Sequence, residues 1–363
     1  MAKKVLMAMS GGIDSTVAAL LLLEQGYELT GVTFRTFDNI SQGCLEKEKG
    51  CCNIDSLLEA KHMAQTLGFE HHIVDFRKEF EDTVIRDFIH EYLQGRTPNP
   101  CVVCNATIKW GKLMEIADQM DCEFIATGHY ARVAESNGRY FLRKGADTQK
   151  DQSYFLWRLT QANLARTLFP LGEWTKAEVR QFALSRGYEK LSRKGESQEI
   201  CFIPDNDYRA FLASHAPDYA SKCQPGNFAT ADGKIVGKHR GYPNYTIGQR
   251  KGLGIALGQP MFVTAIHPET NTVVLGTKEE IQDSTFYAHN LNWMKYASIP
   301  QGFEAIAKIR YRNEGGTASL YPENEKLRVS FRHPVNSITP GQSVVFYEGD
   351  AVIGGGIIDQ IIK

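Results

Sequence analysis

The sequence predicts an α/β protein: an N-terminal domain built on a parallel sheet with helices on both faces, then a β-rich part whose last strands form a small barrel or sandwich. Three observations lead there. Over roughly the first two hundred of the 363 residues, strand-like apolar runs alternate with helix-length ones. After about Asp205 that rhythm gives way to Gly-rich segments and short alternating strands. The length itself exceeds the ~100–200 residues that one domain usually holds. A boundary therefore falls near Asp205.

Taken in order, Lys4–Met9 is a short apolar run that breaks at Ser10-Gly11-Gly12 and reads as a first strand. Ser15–Gln25 is apolar over a helix's length and meets Gly26, a C-terminal stop. Leu29–Phe34 is a second strand, Ile54–Leu67 an amphipathic helix ending at Gly68, and His72–Phe76 a third strand. Glu79–Leu93 is again helical and Gly95–Pro100 is a breaker-rich loop. Asn105–Gln119 is a helix that feeds the strand Phe124–Thr127 and then Gly128-His129. Strands separated by helices pair in parallel, and such sheets bind ligands at the carboxyl ends of their strands. Thr175-Lys176-Ala177-Glu178 has the form of a capping box opening a helix that ends at Gly187, and Tyr208–His215 is a last helix. Asp232-Gly233 marks a hairpin between Phe228–Thr230 and Ile235–Val236. Glu304–Tyr311, Leu327–Phe331 and Ser343–Tyr347 read as strands of a barrel or sandwich.

Composition excludes several classes. No apolar run approaches the ~18 residues of a membrane span. The start, Met1-Ala2-Lys3-Lys4-Val5, lacks the apolar core of a signal peptide, so a cytoplasmic protein is expected. A net charge of −1 argues against bulk attraction to a polyanion; a nucleic-acid partner must be held by local patches and shape. The eight cysteines, at 44, 51, 52, 101, 104, 122, 201 and 223, are not expected to form a disulfide scaffold in a reducing compartment.

Ser10-Gly11-Gly12-Ile13-Asp14-Ser15 is the strongest motif. Two glycines let backbone approach phosphate, and the following helix start offers free N–H groups and a positive dipole end. No Lys follows as in a Walker-type loop. Asp14 facing phosphate calls for Mg²⁺ between them. The motif resembles the pyrophosphate loop (PP-loop) of the ATP pyrophosphatase superfamily. That resemblance implies an adenine nucleotide α-hydrolase-like fold that cleaves ATP between the α- and β-phosphates and adenylates a carbonyl-type oxygen.

The thiols bear on the acceptor. Thr97-Pro98-Asn99-Pro100-Cys101-Val102-Val103-Cys104-Asn105 joins a stiff loop to a helix start, where the dipole favours thiolate at Cys104. By itself Cys101-x-x-Cys104 is half a zinc site, a thiol–disulfide pair or two buried thiols, and Cys51-Cys52 is a poor second half for zinc. Cys201 follows a polar, Gly-containing segment, Gly195-Glu196-Ser197-Gln198-Glu199, which reads as an accessible loop, although a solitary cysteine is more often inert.

Together with Gly95–Pro100, Thr127-Gly128-His129-Tyr130-Ala131, Lys150-Asp151-Gln152-Ser153-Tyr154, Cys201-Phe202-Ile203 and Gly248-Gln249-Arg250-Lys251-Gly252-Leu253-Gly254, these segments resemble the tRNA-uridine 2-sulfurtransferase family over nearly the whole chain. The resemblance implies three parts: a pyrophosphatase domain over 1–205, a small tRNA-binding middle domain over 206–278 and a C-terminal β-barrel over 279–363. It implies ATP on Ala8, Met9, Ser10, Gly11, Gly12, Ile13, Asp14 and Ser15, with Phe34 and Gly128 near adenine and ribose. It makes Cys201 the carrier of a persulfide received from a cysteine desulfurase relay, and Cys104 the thiol able to form a disulfide with it as sulfur leaves. Asn99, Pro100 and Cys101 would face the flipped uridine. His129, Lys150, Asp151, Gln152, Arg310, Tyr311 and Gln342 would touch the tRNA. One common version of the family pattern carries aspartate where this chain has Cys101, which opens a second reading. Cys101, Cys104 and Cys201 converging on one pocket could hold an iron–sulfur cluster.

The implied reaction is 2-thiolation of a tRNA wobble uridine, with tRNAs for Lys, Glu and Gln as substrates and AMP and pyrophosphate as products. Two rivals are a synthetase that passes the adenylate to ammonia and a non-catalytic RNA-binding or sulfur-relay protein. Lys308-Ile309-Arg310-Tyr311-Arg312 alternates to put three cations on one strand face, while His239-Arg240-Gly241-Tyr242 and Gln249-Arg250-Lys251-Gly252 interleave cations with turns and aromatics, as phosphate contacts do.

Overall fold

The computed structural model describes residues 2–37, 54–193, 195, 200–203 and 206–362. Strands β1 (Lys4–Ala8), β2 (Glu28–Arg35), β3 (Glu70–Asp75), β4 (Phe124–Ala126) and β7 (Thr167–Leu168) form one sheet in the order β3-β2-β1-β4-β7, every pair parallel. Val5, Leu6 and Met7 are fully buried, as a strand covered on both faces requires. Helix α1 (Ile13–Glu24) buries most of its residues, and Gly26 closes it at φ +83° with Tyr27 N–H returning to the Leu22 carbonyl. The chain leaves β1 toward β2 on one side and reaches β4 on the other. The order therefore reverses between β1 and β4, and a crevice opens beyond their carboxyl ends.

Two helices differ from expectation. The one before the Cys101 region spans residues 77–93 and contains a π turn at Glu81–Ile85. The next spans 100–119, with a π turn at Asn105–Trp110, and so starts five residues before the predicted Asn105. Pro100 accounts for this: at the first position of a helix its fixed φ and missing N–H favour the start. Asn99 caps it, its side chain accepting from Val102 N–H at 3.4 Å.

The middle region forms a four-stranded sheet, β10-β11-β8-β9 (β8 Gly226–Ala229, β9 Ile235–His239, β10 Phe262–His267, β11 Thr272–Gly276). Gly233, at φ +84°, makes the β8–β9 turn where Asp232-Gly233 predicted it. The C-terminal strands β12 (Gln282–Trp293), β13 (Phe303–Lys308), β14 (Gly316–Glu323), β15 (Lys326–Asn336), β16 (Ser343–Glu348) and β17 (Ala351–Ile362) close into a barrel, because β12 pairs with both β15 and β17. A hairpin of the N-terminal domain, β5 (Ala131–Ser136) and β6 (Arg139–Lys144), extends that barrel through Ala351 and Arg143. The sequence reading assigned it no element, although Asn137-Gly138 (φ +52° and +71°) is a strong hairpin signal.

His71 is held on the sheet with Nε2 2.8 Å from the Thr33 hydroxyl, while its buried Nδ1 has no partner. Burial, with help from His72 and Lys61, lowers its pKa to about 4. Unfolded His71 takes up a proton near pH 6.5 and the folded residue does not, so stability is lost as pH falls from 6.5 toward 4. Melting temperatures in that window are expected to fall, and His71→Gln to flatten the decline.

Candidate active site

The loop after β1 lies at the mouth of the crevice. Gly11 adopts φ +68°, and a Cβ there would stand 2.4 Å from the Ser56 carbonyl oxygen, so only glycine fits. Ser15 Oγ accepts from Ser10 N–H at 3.2 Å and donates to the Gly12 carbonyl at 3.1 Å, closing the turn. Gly12 caps α1 without a side-chain bond, so the first-turn N–H groups of α1 meet the crevice. Gly128, just past β4, packs on that turn: a Cβ would come 2.8 Å from the Asp14 carbonyl carbon and 2.9 Å from Ser15 N. Gly128→Ala is therefore expected to push the strand end off α1, costing about 1–3 kcal/mol and weakening ATP binding. Denaturant titration and equilibrium dialysis measure the two effects.

Asp14 is paired within the chain. The Lys176 ammonium bonds both its carboxylate oxygens, at 2.7 and 2.8 Å, and Tyr130 OH donates to Oδ1 at 2.7 Å. Lys176 is buried, 162 residues away in sequence, and begins the helix Lys176–Ser185. The sequence suggested Mg²⁺ opposite this carboxylate; the cation facing it here belongs to the chain. Sequence reasoning read Thr175–Glu178 only as a capping box, which it is. The overlooked signal was a lysine at a helix N-terminus, where the dipole disfavours a cation unless an anion compensates.

The Cys201 segment meets the carboxyl side of the same sheet. Cys104 and Cys201 are half-buried and pack against one hydrophobic core, which Ala8 and Phe34 also border. Phe202, next to Cys201, packs edge-on against Phe37 at 6.3 Å, just past the end of β2. Because the helix starts at Pro100, the exposed Cys101 occupies its first turn and Cys104 its fifth position, a correction to the placement of Cys104 at the start. The iron–sulfur reading fares less well. Among the described residues no group of three His, Cys, Asp or Glu side chains is placed to hold a metal ion, so Cys101, Cys104 and Cys201 do not form a ligand set. Cys51, Cys52 and 196–199 lie outside the described residues.

Comparison with known proteins fits this geometry. Residues 3–205 match the model of the tRNA methyl transferase HUP domain, 209–277 the tRNA methyl transferase PRC-barrel domain and 283–358 the aminomethyltransferase beta-barrel domain. The tRNA-specific 2-thiouridylase MnmA of Amoebophilus asiaticus is 52% identical over 99% of this chain and 96% of its own. Those of Cytophaga hutchinsonii and Salinibacter ruber are 51% and 49% identical, over 99% of this chain and 98% and 94% of theirs. The chain belongs to the tRNA-specific 2-thiouridylase family.

Several residues that the resemblance assigns to RNA have internal partners in the free chain. Asp151 is buried and accepts from Gly145 N–H, Ser153 N–H and Ser153 Oγ. Gln152 Oε1 accepts from Tyr130 N–H at 2.9 Å. His129 is half-buried beside Trp110 and bonds the Thr127 hydroxyl through Nδ1. Desolvation, then Lys109, holds its pKa well below the usual value, so it is neutral. Gln342 donates to the Thr97 and Pro98 carbonyls.

The three-cation strand face is corrected. β13 ends at Lys308, Arg310 lies in the following bend and donates to the Asn336 carbonyl at 2.8 Å, and Tyr311 packs on Phe155 at 4.5 Å. Alternation along a strand cannot carry past its last residue. His239 and Tyr242 are buried too, the latter donating to the Leu93 carbonyl, while Arg240, Arg250 and Lys251 stay exposed.

Proposed function

We propose that this chain catalyses ATP-dependent 2-thiolation of the wobble uridine of tRNA. The observation that carries the reading is the glycine-turned loop Ser10–Ser15 at the switch point of a parallel sheet, with the Cys201 segment meeting the end of β2 through Phe202 and Phe37. A phosphate loop and two thiols can together activate an oxygen and replace it with sulfur. The proposed tRNAs are those for Lys, Glu and Gln, with the sulfur arriving as a persulfide on Cys201 from a cysteine desulfurase or relay protein.

The chemistry follows from the groups. The uracil C2 oxygen is a poor leaving group; its attack on the α-phosphate of ATP releases pyrophosphate and turns it into AMP. The Cys201 persulfide attacks C2 and expels AMP, leaving the base joined to Cys201 through a disulfide. Cys104 thiolate then attacks the Cys201 sulfur, so the base departs with the outer sulfur and a Cys104–Cys201 disulfide remains. That disulfide needs a cellular thiol to reset it. The wobble base is single-stranded and cheap to extrude. Exposed Arg240, Arg250 and Lys251 suit the phosphate backbone. Among the described residues no helix is long and apolar enough to cross a membrane.

Mass spectrometry of nucleosides from tRNA incubated with the purified protein, ATP and a persulfide donor tests the reading. Equimolar 2-thiouridine and AMP are expected. AMP without thiouridine when ammonia replaces persulfide would favour the synthetase, and no AMP at all a scaffold.

A further inference from the structure

Two ammonium groups share one buried ring at the seam between the N-terminal hairpin and the barrel. Lys144, at the end of β6, holds its Nζ 4.6 Å from the centre of the Tyr347 ring. Lys308, at the end of β13, holds its own at 5.8 Å. Both are anchored. Lys144 N–H donates to the Asp350 carbonyl at 2.8 Å, and its carbonyl accepts from Arg132 Nε at 2.7 Å. The Lys308 stem packs against Gly315, where a Cβ would stand 3.1 Å from its Cγ. Tyr347 is fully buried on β16, and its hydroxyl bonds that of Ser153 at 3.2 Å.

The two charges lack a close counter-ion. Among the described residues, neither ammonium pairs with a carboxylate or donates a hydrogen bond. Asp151 acts on Lys308 from beyond ion-pair distance, its carboxylate held by Gly145 and Ser153. Burial pulls the Lys308 pKa below its usual range; Asp151 opposes that pull and Lys144 adds to it. Like charges half sheltered on one ring repel each other, and an anion between them removes the cost. A ring attracts a cation less strongly than an oxyanion does, and lysine's flexible stem and rotatable donors suit phosphate. A chain of net charge −1 must hold RNA through local pairs of this kind.

We propose that Lys144 and Lys308 together bind one phosphate of the tRNA backbone, across the seam between hairpin and barrel. The inference rests on the thiolation reading above for its ligand. The lysines come from the HUP and barrel domains, so the bound phosphate ties the two together.

Lys144→Gln, Lys308→Gln and the double variant keep the stems and remove the charges. Each is titrated with unmodified tRNA across a salt series, and the free protein is melted. One shared phosphate predicts about tenfold weaker binding in the double variant. Its slope of log affinity against log salt should be shallower by about one, since one phosphate fewer is neutralised. Each single variant keeps a lysine on that phosphate, so its slope should stay near that of the wild type. All three should melt at or above the wild-type temperature, because a repulsion is relieved. Slopes shallower by about one in each single variant and about two in the double would mean separate phosphates and overturn the shared site. A melting temperature several degrees lower, with tRNA affinity intact, would make the pair structural and overturn it too. Inorganic phosphate alone is titrated calorimetrically into wild type and double variant. Saturable binding lost in the double variant, with tRNA affinity unchanged, would assign the pair to a free anion and overturn the RNA assignment. Wild-type protein that binds no tRNA would sink the thiolation reading along with this site. Equal affinity and slope in wild type and double variant would sink the site alone.

Discussion

Lys176→Met is expected to lower ATP-dependent pyrophosphate release by about 10²–10³-fold, the usual loss when one preorganised donor at a developing charge is removed. The pair it breaks is half sheltered: the Lys176 side chain is 10% exposed and that of Asp14 34%. Without the ammonium, Asp14 keeps Tyr130 OH as a partner and brings uncompensated negative charge beside the phosphate loop. That charge repels ATP. Removing one partner of a fully buried pair costs about 3–5 kcal/mol; with Asp14 partly solvated, about 2 kcal/mol of stability is a better figure. Tyr130→Phe removes one hydrogen bond to a charged group and should cost about 1.5–3 kcal/mol, with a smaller loss of pyrophosphate release. Exchange of labelled pyrophosphate into ATP in the presence of tRNA reads the effect. Wild-type exchange in Lys176→Met would remove the lysine from the reaction.

Cys201→Ser should abolish thiolation, by roughly 10³-fold or more, because a serine hydroxyl cannot carry the persulfide. ATP binding should stay near normal. The phosphate loop and Cys201 belong to different segments, and their common border is a core that a sulfur-to-oxygen exchange at a half-buried position disturbs by only about 1 kcal/mol. Cys104→Ser should fail later. The persulfide still attacks, AMP still leaves, and the tRNA stays joined to Cys201 through a disulfide that only added thiol releases. A gel-shifted protein–tRNA adduct, dissolved by dithiothreitol, is the expected signature. Retained turnover in Cys201→Ser, with persulfide supplied, would transfer the carrier role elsewhere.

Much of this site lies in local sequence. Ser10–Ser15 after an apolar run specifies a strand, a glycine turn and a helix start, each by short-range chemistry, and Gly11 at φ +68° is the conformation such a turn requires. Thr175 and Glu178 form the capping box their spacing announced. The strand–helix alternation likewise dictates a parallel sheet, because the crossover connections leave no other pairing. The errors were local as well. Pro100 has the composition of a breaker yet starts a helix, and Asn137-Gly138 turns a hairpin that the flanking residues do not announce. The alternation of Lys308–Arg312 continues past Lys308, where the strand stops.

What the sequence determined alone is therefore the class of fold, the phosphate loop and the chemical identity of the thiols, all properties of residues within one or two turns of each other. The tertiary structure decided who their neighbours are. Lys176 reaches Asp14 across 162 residues, and Gln342 reaches Thr97 across 245. The carboxylate of Asp151 is held by Gly145 and Ser153 of its own loop. The physical reason is one of range. Backbone preference and hydrophobic period act between near neighbours, so they can be read along the chain. The partner of a buried charge or amide is chosen by whichever donor the packed core brings within about 3 Å, since leaving such a group unpaired is costly.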